Sequence, residues 1–399
     1  MQKSPLIETL QPHRYNRQGV SPLSTPAVQR IGSHATGGWA DEVEQAAPPP
    51  TSSTSRARRV DIEVMRVMAV IGVIAIHVSS GALTATTVQR HGFLYFEAIL
   101  IDALSRWAVP VFVAIAGWTL LTRRPAESEE RWLAGRIIRL TLPLITWSLI
   151  YVVWALAEAG LTGEHLWAGK SSFADWLNSE AWLFYSGTGV RAQLWFLYAL
   201  ILATLIVWLI REHDRIRNRA VYLGTCAILV LFWGLPPIFQ FAGTWTGDLW
   251  VFGYFALGWV ILEWGGADGR IGRWLGLGLF AGASALVMWG DLADVAWVHS
   301  PVSPVVFAAT VGFLLLFRGV SMSSRWQARA NALGALTFGV YLAHELALDL
   351  VQLTWRTGAP LAFLTGTQQT ALLVPASALL SFALAWLWHR CRPLAVVLG

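Results

Sequence analysis

The sequence has few charged residues and almost no cysteine. Only 13% of its 399 residues are charged, and 55% are hydrophobic, whereas a soluble domain typically has about 25% charged residues. The two cysteines, Cys226 and Cys391, are far apart and lack the spacing of metal ligands, so neither a disulfide framework nor a metal site is predicted. We therefore expect much of the chain to lie in lipid.

Several motifs of soluble enzymes and ATP-driven pumps are also missing. The sequence has no P-loop, no glycine-rich dinucleotide fingerprint and no nucleophile elbow. ATP-driven transport and serine hydrolysis therefore have no support. The net charge is +5, but the basic residues lie mainly before residue 60 and between apolar runs. That distribution indicates membrane topology, so no nucleic-acid partner is expected.

Apolar runs long enough to cross a bilayer recur from residue 60 to the end of the sequence. A helical span needs roughly 20 apolar residues, and these runs lack the alternation of a transmembrane barrel, so helices are predicted. The predicted fold class is all-α, a polytopic transmembrane helical bundle with about ten spans. The spans are predicted near 61–83, 97–121, 137–157, 193–210, 220–238, 248–264, 273–290, 303–318, 332–352 and 368–388.

The charges between the runs predict the orientation of the spans. Arg56, Arg58 and Arg59 directly precede the first span, and such a basic cluster keeps its end of a span in the cytoplasm. The later arginine-rich segments then fall inside, and most acidic segments fall outside. We expect a multi-pass protein of the cell membrane with both termini cytoplasmic. Residues 1–59 are predicted to be a disordered cytoplasmic tail and residues 60–399 the transmembrane domain.

The first predicted span carries three ionisable residues, Glu63, Arg66 and His77. Arg66 and His77 are eleven residues apart, which places them within roughly 20° of one helix face and about 16 Å apart along the axis. Glu63 precedes Arg66 by about one turn and can pair with it. Because ionisable groups inside a membrane are costly, these residues are candidates for function. The alternative is that Arg66 anchors the helix at the interface and His77 only packs.

Four parts of the sequence resemble the acyltransferase-3 family of integral membrane O-acyltransferases. Glu63, Arg66 and His77 match the acidic residue, arginine and histidine of that family's first helix. The other matches are the Pro-x-Phe segment at 110–112, the Arg-x-x-Arg pair Arg136 and Arg139, and the Leu-Trp-Phe and Tyr-x-x-His segments that contain Trp195, Tyr341 and His344. The family usually has a small residue directly after the arginine that Arg66 matches, and this sequence has Val67 there. In this feature the sequence is similar to a subgroup that resembles the enterobacterial common antigen O-acetyltransferases.

The resemblance implies that residues 60–399 transfer an acyl group, expected to be acetyl, from cytoplasmic acyl-CoA. The acceptor is expected to be a hydroxyl of a carbohydrate or lipid-linked glycan, or of another cell-envelope molecule, and no metal is expected. Neutral His77 would remove the hydroxyl proton as a general base. Arg66 would orient the reacting groups or stabilise negative charge, and Glu63 would fix Arg66.

Arg136 and Arg139 are the candidate residues for binding the donor. Two guanidinium groups one turn apart can bind the phosphates of CoA through bidentate hydrogen bonds, and plain positive-inside anchoring is the alternative. The candidate residues for binding the acceptor are Trp195, Tyr341, His344 and Glu345. Packing is an alternative role for the two aromatic residues among them.

Two other functions remain open for the same sequence. A transporter or flippase of a sugar-linked lipid or a small solute would use the buried ionisable groups to relay protons. Inverted repeats in the sequence would favour this hypothesis. No convincing internal repeat is evident. A family member that has lost activity and only scaffolds envelope enzymes is the third possibility.

The predicted orientation can be checked with a membrane-impermeant thiol reagent. In a background with both native cysteines replaced by serine, we expect an introduced Ser172→Cys to react in intact cells, because segment 158–192 is predicted to lie outside. Ser128→Cys, on the predicted inner side, is the matched control and should react only after permeabilisation. Removal of residues 1–50 should not change either result, since a disordered tail buries little. Labelling of Ser172→Cys only after permeabilisation would contradict the orientation.

Overall fold

All regular secondary structure in the part of the chain that the structure describes is helical. The computed structural model describes residues 59–84, 92–122, 128–162, 173–185, 190–212, 250–264, 269–295, 297–357 and 366–399. The chain divides into two units, Met1–Ser55 and Arg56–Gly399, and every described residue belongs to the second. The predicted tail, apart from Arg59, and the predicted span 220–238 lie outside the described residues. The all-α prediction is confirmed.

Twelve α-helices are present within the described ranges. They are α1 (Val60–Thr84), α2 (Phe93–Ala103), α3 (Ala108–Thr122), α4 (Glu129–Thr162), α5 (Phe173–Tyr185), α6 (Trp195–Glu212), α7 (Trp250–Trp259), α8 (Arg270–Leu292), α9 (Pro304–Phe317), α10 (Ser324–Thr357), α11 (Gly366–His389) and α12 (Arg392–Leu398). A short 3₁₀ helix, Ala192–Leu194, precedes α6, and a π-helical turn, Val260–Trp264, extends α7.

Six of the described helical segments are long and apolar enough to cross a membrane. They are Val60–Leu83, Phe93–Thr122, Glu129–Leu161, Arg270–Leu292, Ser324–Leu353 and Ala371–His389. Three shorter apolar helices are Trp195–Leu209, Trp250–Glu263 and Pro304–Phe317. Each of the nine coincides with a predicted span, so the multi-pass helical bundle is confirmed. The count of ten stays a prediction.

The second candidate span, Phe93–Thr122, consists of two helices and not one. The helical run is interrupted between Ala103 and Ala108, where α2 ends and α3 begins. Pro110 explains the break, because proline has no N–H to donate and its ring clashes with the carbonyl four residues earlier. In the observed arrangement Pro110 lies in the first turn of α3, where no intrahelical donor is required.

The helix α1 lies in the middle of the bundle and packs against α2, α3, α9, α10 and α11. The side chain of Asp61 accepts hydrogen bonds from Arg59, at 2.6 Å, and from the backbone N–H of Gly319, at 2.9 Å. Arg59 also donates to the carbonyl oxygen of Leu262 at 3.0 Å. These contacts connect the start of α1 to the π-helical turn and to the segment that follows α9.

The contacts along α1 also give the direction of α10. The Glu63 side chain lies against Gly334, where an added Cβ would overlap it, and His77 contacts Glu345 further along both helices. The two helices therefore run in the same direction. This agrees with the predicted topology, in which the first and ninth spans are parallel.

The helices α3 and α7 approach closely enough for their backbones to touch. A Cβ at Gly117 would overlap the backbone of Phe255, and a Cβ at Gly258 would overlap the backbone carbonyl of Ala114. Membrane helices lack a hydrophobic driving force between them, so close packing through small residues contributes much of their association. The two glycines therefore determine how near α3 and α7 can lie.

We expect Gly258→Ala to lower the thermal stability of the protein in detergent, because the new methyl group forces α7 away from Ala114. Overpacking of this kind costs about 1 to 3 kcal/mol, which exceeds the helix propensity gained from alanine, at most about 1 kcal/mol. Gly278→Ala in α8 is the matched control, since nothing lies within 4 Å of its added Cβ. The apparent midpoint of thermal unfolding measures both. An unchanged midpoint for Gly258→Ala would contradict the close contact.

Candidate functional site

Three ionisable side chains meet between α1 and α10. Nδ1 of His77 lies 2.5 Å from Oε1 of Glu345, and Nε2 of His344 lies 3.9 Å from the same oxygen. The centroids of the two imidazole rings are 4.9 Å apart. The side chain of His344 is 0% exposed, that of Glu345 14% and that of His77 29%. We call these three residues the histidine cluster.

Hydrogen bonds assign the protons of both histidines. Nδ1 of His344 lies 2.5 Å from the carbonyl oxygen of Tyr341, and a carbonyl only accepts, so Nδ1 of His344 carries a proton. The carboxylate of Glu345 likewise accepts the Nδ1 proton of His77. In the neutral imidazoles, each Nε2 then has a lone pair and can accept a hydrogen bond or a proton. His77 is the histidine with a carboxylate partner and an exposed edge.

The sequence of α10 brings its part of the cluster together. Tyr341, His344 and Glu345 are spaced so that residues three and four apart lie on one side of a helix. The hydroxyl of Tyr341 donates to the carbonyl oxygen of Gln193 at 2.6 Å, and its ring packs 5.4 Å from the ring of Phe196. Tyr341 thus connects the histidine cluster to the start of α6.

Trp195 lies at the first residue of α6 and packs against another aromatic residue. Its ring centroid is 5.6 Å from that of Trp250. This places it next to the Gln193–Phe196 segment that contacts Tyr341. The structure thus brings His77, Tyr341, His344 and Glu345 together, and Trp195 is the chain neighbour of Phe196, whose ring contacts Tyr341.

A second ion pair lies one turn beyond Glu345 on α10. Oδ2 of Asp349 is 3.1 Å from Nη2 of Arg191 and 3.0 Å from Nε1 of Trp154. The guanidinium of Arg191 also lies over the ring of Tyr151, 5.7 Å from its centroid. Neither Asp349 nor Arg191 is among the site residues predicted from the sequence. The signal that could have found Asp349 is its spacing of four from Glu345 in an apolar helix, which puts two carboxylates on one face.

Arg66 belongs to a different group from the histidine cluster. Its Nη1 donates to Oε1 of Glu63 at 3.4 Å, and its Nη2 donates to Oγ1 of Thr119 at 3.2 Å. The expected pairing of Glu63 with Arg66 is therefore present, and α3 supplies a further partner. Arg66 and His77 are separated by about 16 Å along α1, so Arg66 does not adjoin the histidine cluster.

The two candidate donor-binding arginines lie in the first half of α4. Arg136 is half-buried and Arg139 is exposed, and Pro143 follows them within the same helix. The candidate span that contains them, Glu129–Leu161, extends beyond the predicted span 137–157 at both ends. The arginines therefore lie near the end of α4 that the charge pattern assigns to the inner side.

The apolar helices and the ionisable cluster between them define an integral membrane protein with a polar site inside its bundle. Residues 59–390 match the family model of the acyltransferase-3 acyltransferase domain. Because the match covers most of the chain, the chain belongs to this family and is an acyltransferase. No curated protein and no solved structure gives a match.

Proposed function

We propose that this protein is an O-acyltransferase that moves an acetyl group from cytoplasmic acetyl-CoA to a hydroxyl group of a carbohydrate or other cell-envelope acceptor. The observation that carries the proposal is the 2.5 Å contact between Nδ1 of His77 and Oε1 of Glu345, inside a bundle that belongs to an acyltransferase family. A histidine held by a carboxylate is well suited to general-base catalysis of acyl transfer.

In the proposed reaction Nε2 of His77 takes the proton of the acceptor hydroxyl as its oxygen attacks the thioester carbonyl. The new carbon–oxygen bond forms and the carbon–sulfur bond breaks. The CoA thiolate that leaves then takes the proton back from the imidazolium, so the histidine returns to its neutral form. An acyl group carried temporarily by His77 is a variant of the same reaction.

Glu345 has two tasks in this mechanism. By accepting the Nδ1 proton, it keeps His77 in the tautomer whose Nε2 is free to act as a base. Its negative charge also stabilises the imidazolium that forms when Nε2 takes the proton, as the carboxylate of a catalytic triad does. Because Glu345 is largely buried, this electrostatic effect is stronger than it would be in water.

The donor is proposed to enter from the inner side along α4 and α1. Arg136 and Arg139 would hold the phosphates, where charged groups are reachable from the cytoplasm. Arg66 would contact the donor between the phosphates and the thioester, since it lies about 16 Å along α1 from His77. A donor with phosphates at one end and its reactive carbon at the other, joined by a long flexible arm, fits this separation.

The acceptor is proposed to approach from the opposite side. Asp349 lies one turn further along α10 than Glu345, on the way to the predicted outer end, and Arg191 pairs with it from the segment before α6. Hydroxyl groups of a carbohydrate can donate to carboxylates and accept from a guanidinium. His344 and Tyr341 complete the proposed acceptor site, and Trp195 supports it through the start of α6.

The proposed function also requires a defined membrane topology. Ten spans with both termini in the cytoplasm would place the donor arginines inside and the acceptor side outside, in the cell membrane. The subgroup that resembles the enterobacterial common antigen O-acetyltransferases is part of the same proposal, based on Val67. The topology and the subgroup are thus proposals that go beyond membership of the family.

We expect His77→Ala to lower acetyl transfer by about 10² to 10⁴, the contribution typical of a general base. Glu345→Gln should lower it too, because an amide presents no negative charge to the imidazolium. His389→Ala is the control, since His389 is the last residue of α11 and its Nδ1 donates to the carbonyl oxygen of Ala385 in the same helix, at 2.9 Å. Transfer is measured with purified protein in detergent, where no gradient exists. Activity of the parent there excludes a pure transporter, and near-parental activity of His77→Ala removes that residue from the mechanism.

We expect Arg136→Gln combined with Arg139→Gln to weaken binding of CoA and to make the remaining binding less sensitive to salt. The reason is that each lost guanidinium removes a charge-assisted contact to phosphate. Arg329→Gln in α10 is a charge-matched control, because its guanidinium lies over the ring of Trp326, 4.8 Å from the centroid. Binding is measured by calorimetry at two ionic strengths. Parental affinity of the double variant at low salt would exclude these arginines from the donor site.

A further inference from the structure

We propose that the histidine cluster is also a binding site for Zn²⁺, and that Zn²⁺ bound there inhibits acyl transfer. One ligand atom each from His77, His344 and Glu345 lies within 4.8 Å of the others. Two imidazole nitrogens and one carboxylate oxygen are a donor set that Zn²⁺ prefers, with a fourth position open to water. The inhibition rests on the proposed function, whereas the binding does not.

The distances in the cluster lie on both sides of the value that a tetrahedral zinc ion requires. With zinc bonds of about 2.0 to 2.1 Å, neighbouring ligand atoms are about 3.3 Å apart. The observed separations, 2.5 Å from His77 to Glu345 and 3.9 Å from His344 to Glu345, lie on either side of that value. Small rotations of the Glu345 side chain would lengthen the first and shorten the second. The ligand atoms of the two histidines, within 4.8 Å of each other, would move closer through rotation of the more exposed His77 ring.

His344 supplies an independent observation that indicates a ligand. Its Nε2 is buried and has no hydrogen-bond partner among the residues that the structure describes. Buried polar atoms are normally paired, so a buried ring nitrogen that has no hydrogen-bond partner and lies 3.9 Å from a carboxylate oxygen is unusual. The other nitrogen of His344 donates to the Tyr341 carbonyl, which is the outer contact that orients most metal-binding histidines.

Access to the cluster is available through His77. Its side chain keeps 29% of its surface exposed, more than that of Glu345 or His344, so it is the member of the cluster that an ion can reach most directly. The carboxylate of Glu345 offsets part of the charge of the ion, which lowers the cost of placing a dication among apolar helices.

Zinc at this position would remove the base that the reaction needs. When the ion binds Nδ1 of His77, the proton that Nδ1 donated to Glu345 is displaced and the neutral imidazole carries its single proton on Nε2. That nitrogen then donates and no longer accepts a proton. Binding and catalysis therefore compete for the same imidazole, and removal of the ion by a chelator restores the active tautomer.

Binding is tested on the full chain, purified in detergent and stripped with a chelator. We expect equilibrium dialysis to show that His344→Gln and Glu345→Gln each bind one Zn²⁺ fewer per chain than the parent. The control His299→Gln should bind as the parent does, since Nδ1 of His299 pairs with Asp291 at 2.8 Å but belongs to no three-residue ligand group among the described residues. The thermal unfolding midpoint of each variant shows whether a loss of zinc binding follows from misfolding. Equal stoichiometry in parent and folded cluster variants overturns the site.

Activity of the same preparations tests the inhibition separately. We expect stoichiometric Zn²⁺ to lower the transfer rate of the parent at least tenfold, and a chelator to restore it. Loss of activity on chelation would mean that the metal is catalytic, which overturns the inhibition. Undiminished activity with the site filled overturns it too. Absence of transfer in every preparation, with the zinc stoichiometry as expected, would instead sink the proposed function and leave the metal site standing.

Discussion

The contact between His77 and Glu345 determines how α1 lies against α10. Both side chains sit in a largely apolar bundle, where an ionisable group without a partner is expensive. Sliding α10 by one turn would separate the pair and leave a carboxylate buried beside apolar side chains, which costs far more than the pair contributes when intact. Since α1 packs against four further helices, the register set by this pair is transmitted to much of the bundle.

The close helix contacts make that register possible. Gly334 lets the side chain of Glu63 lie against α10, and the pair Gly117 and Gly258 lets α3 approach α7 until their backbones touch. In lipid, where apolar surface gains little from contact with other apolar surface, such van der Waals packing and a few polar contacts between helices supply the association. The polar residues therefore specify which helices meet, and the small residues specify how closely.

The arrangement separates two polar groups along one helix. In the first half of α1, Arg66 donates hydrogen bonds to Glu63 and Thr119. The histidine cluster lies further along the same helix. A site of this kind suits a long ligand whose charged end and reactive end need different environments. A metal ion at the histidine cluster would change only the environment of the reactive end of such a ligand. In the proposed mechanism, regulation of the base would therefore be separable from binding of the donor.

The positions of the nine described apolar helices and the pairing of Glu63 with Arg66 follow from the sequence alone, and so does the choice of His77 as a candidate site residue. Apolar run length, helical spacing and the cost of buried charge are local properties, and they require no knowledge of which helices are neighbours. The break in the helix before Pro110 also has a local cause, because proline lacks an N–H. The predicted span 97–121 is nevertheless continuous. Only the tertiary structure decided that His77 meets Glu345, that His344 keeps an unpaired Nε2, and that Asp349 meets Arg191 and Trp154. Those contacts join residues far apart in the chain, and they depend on the packing of one helix against another, which no local pattern encodes.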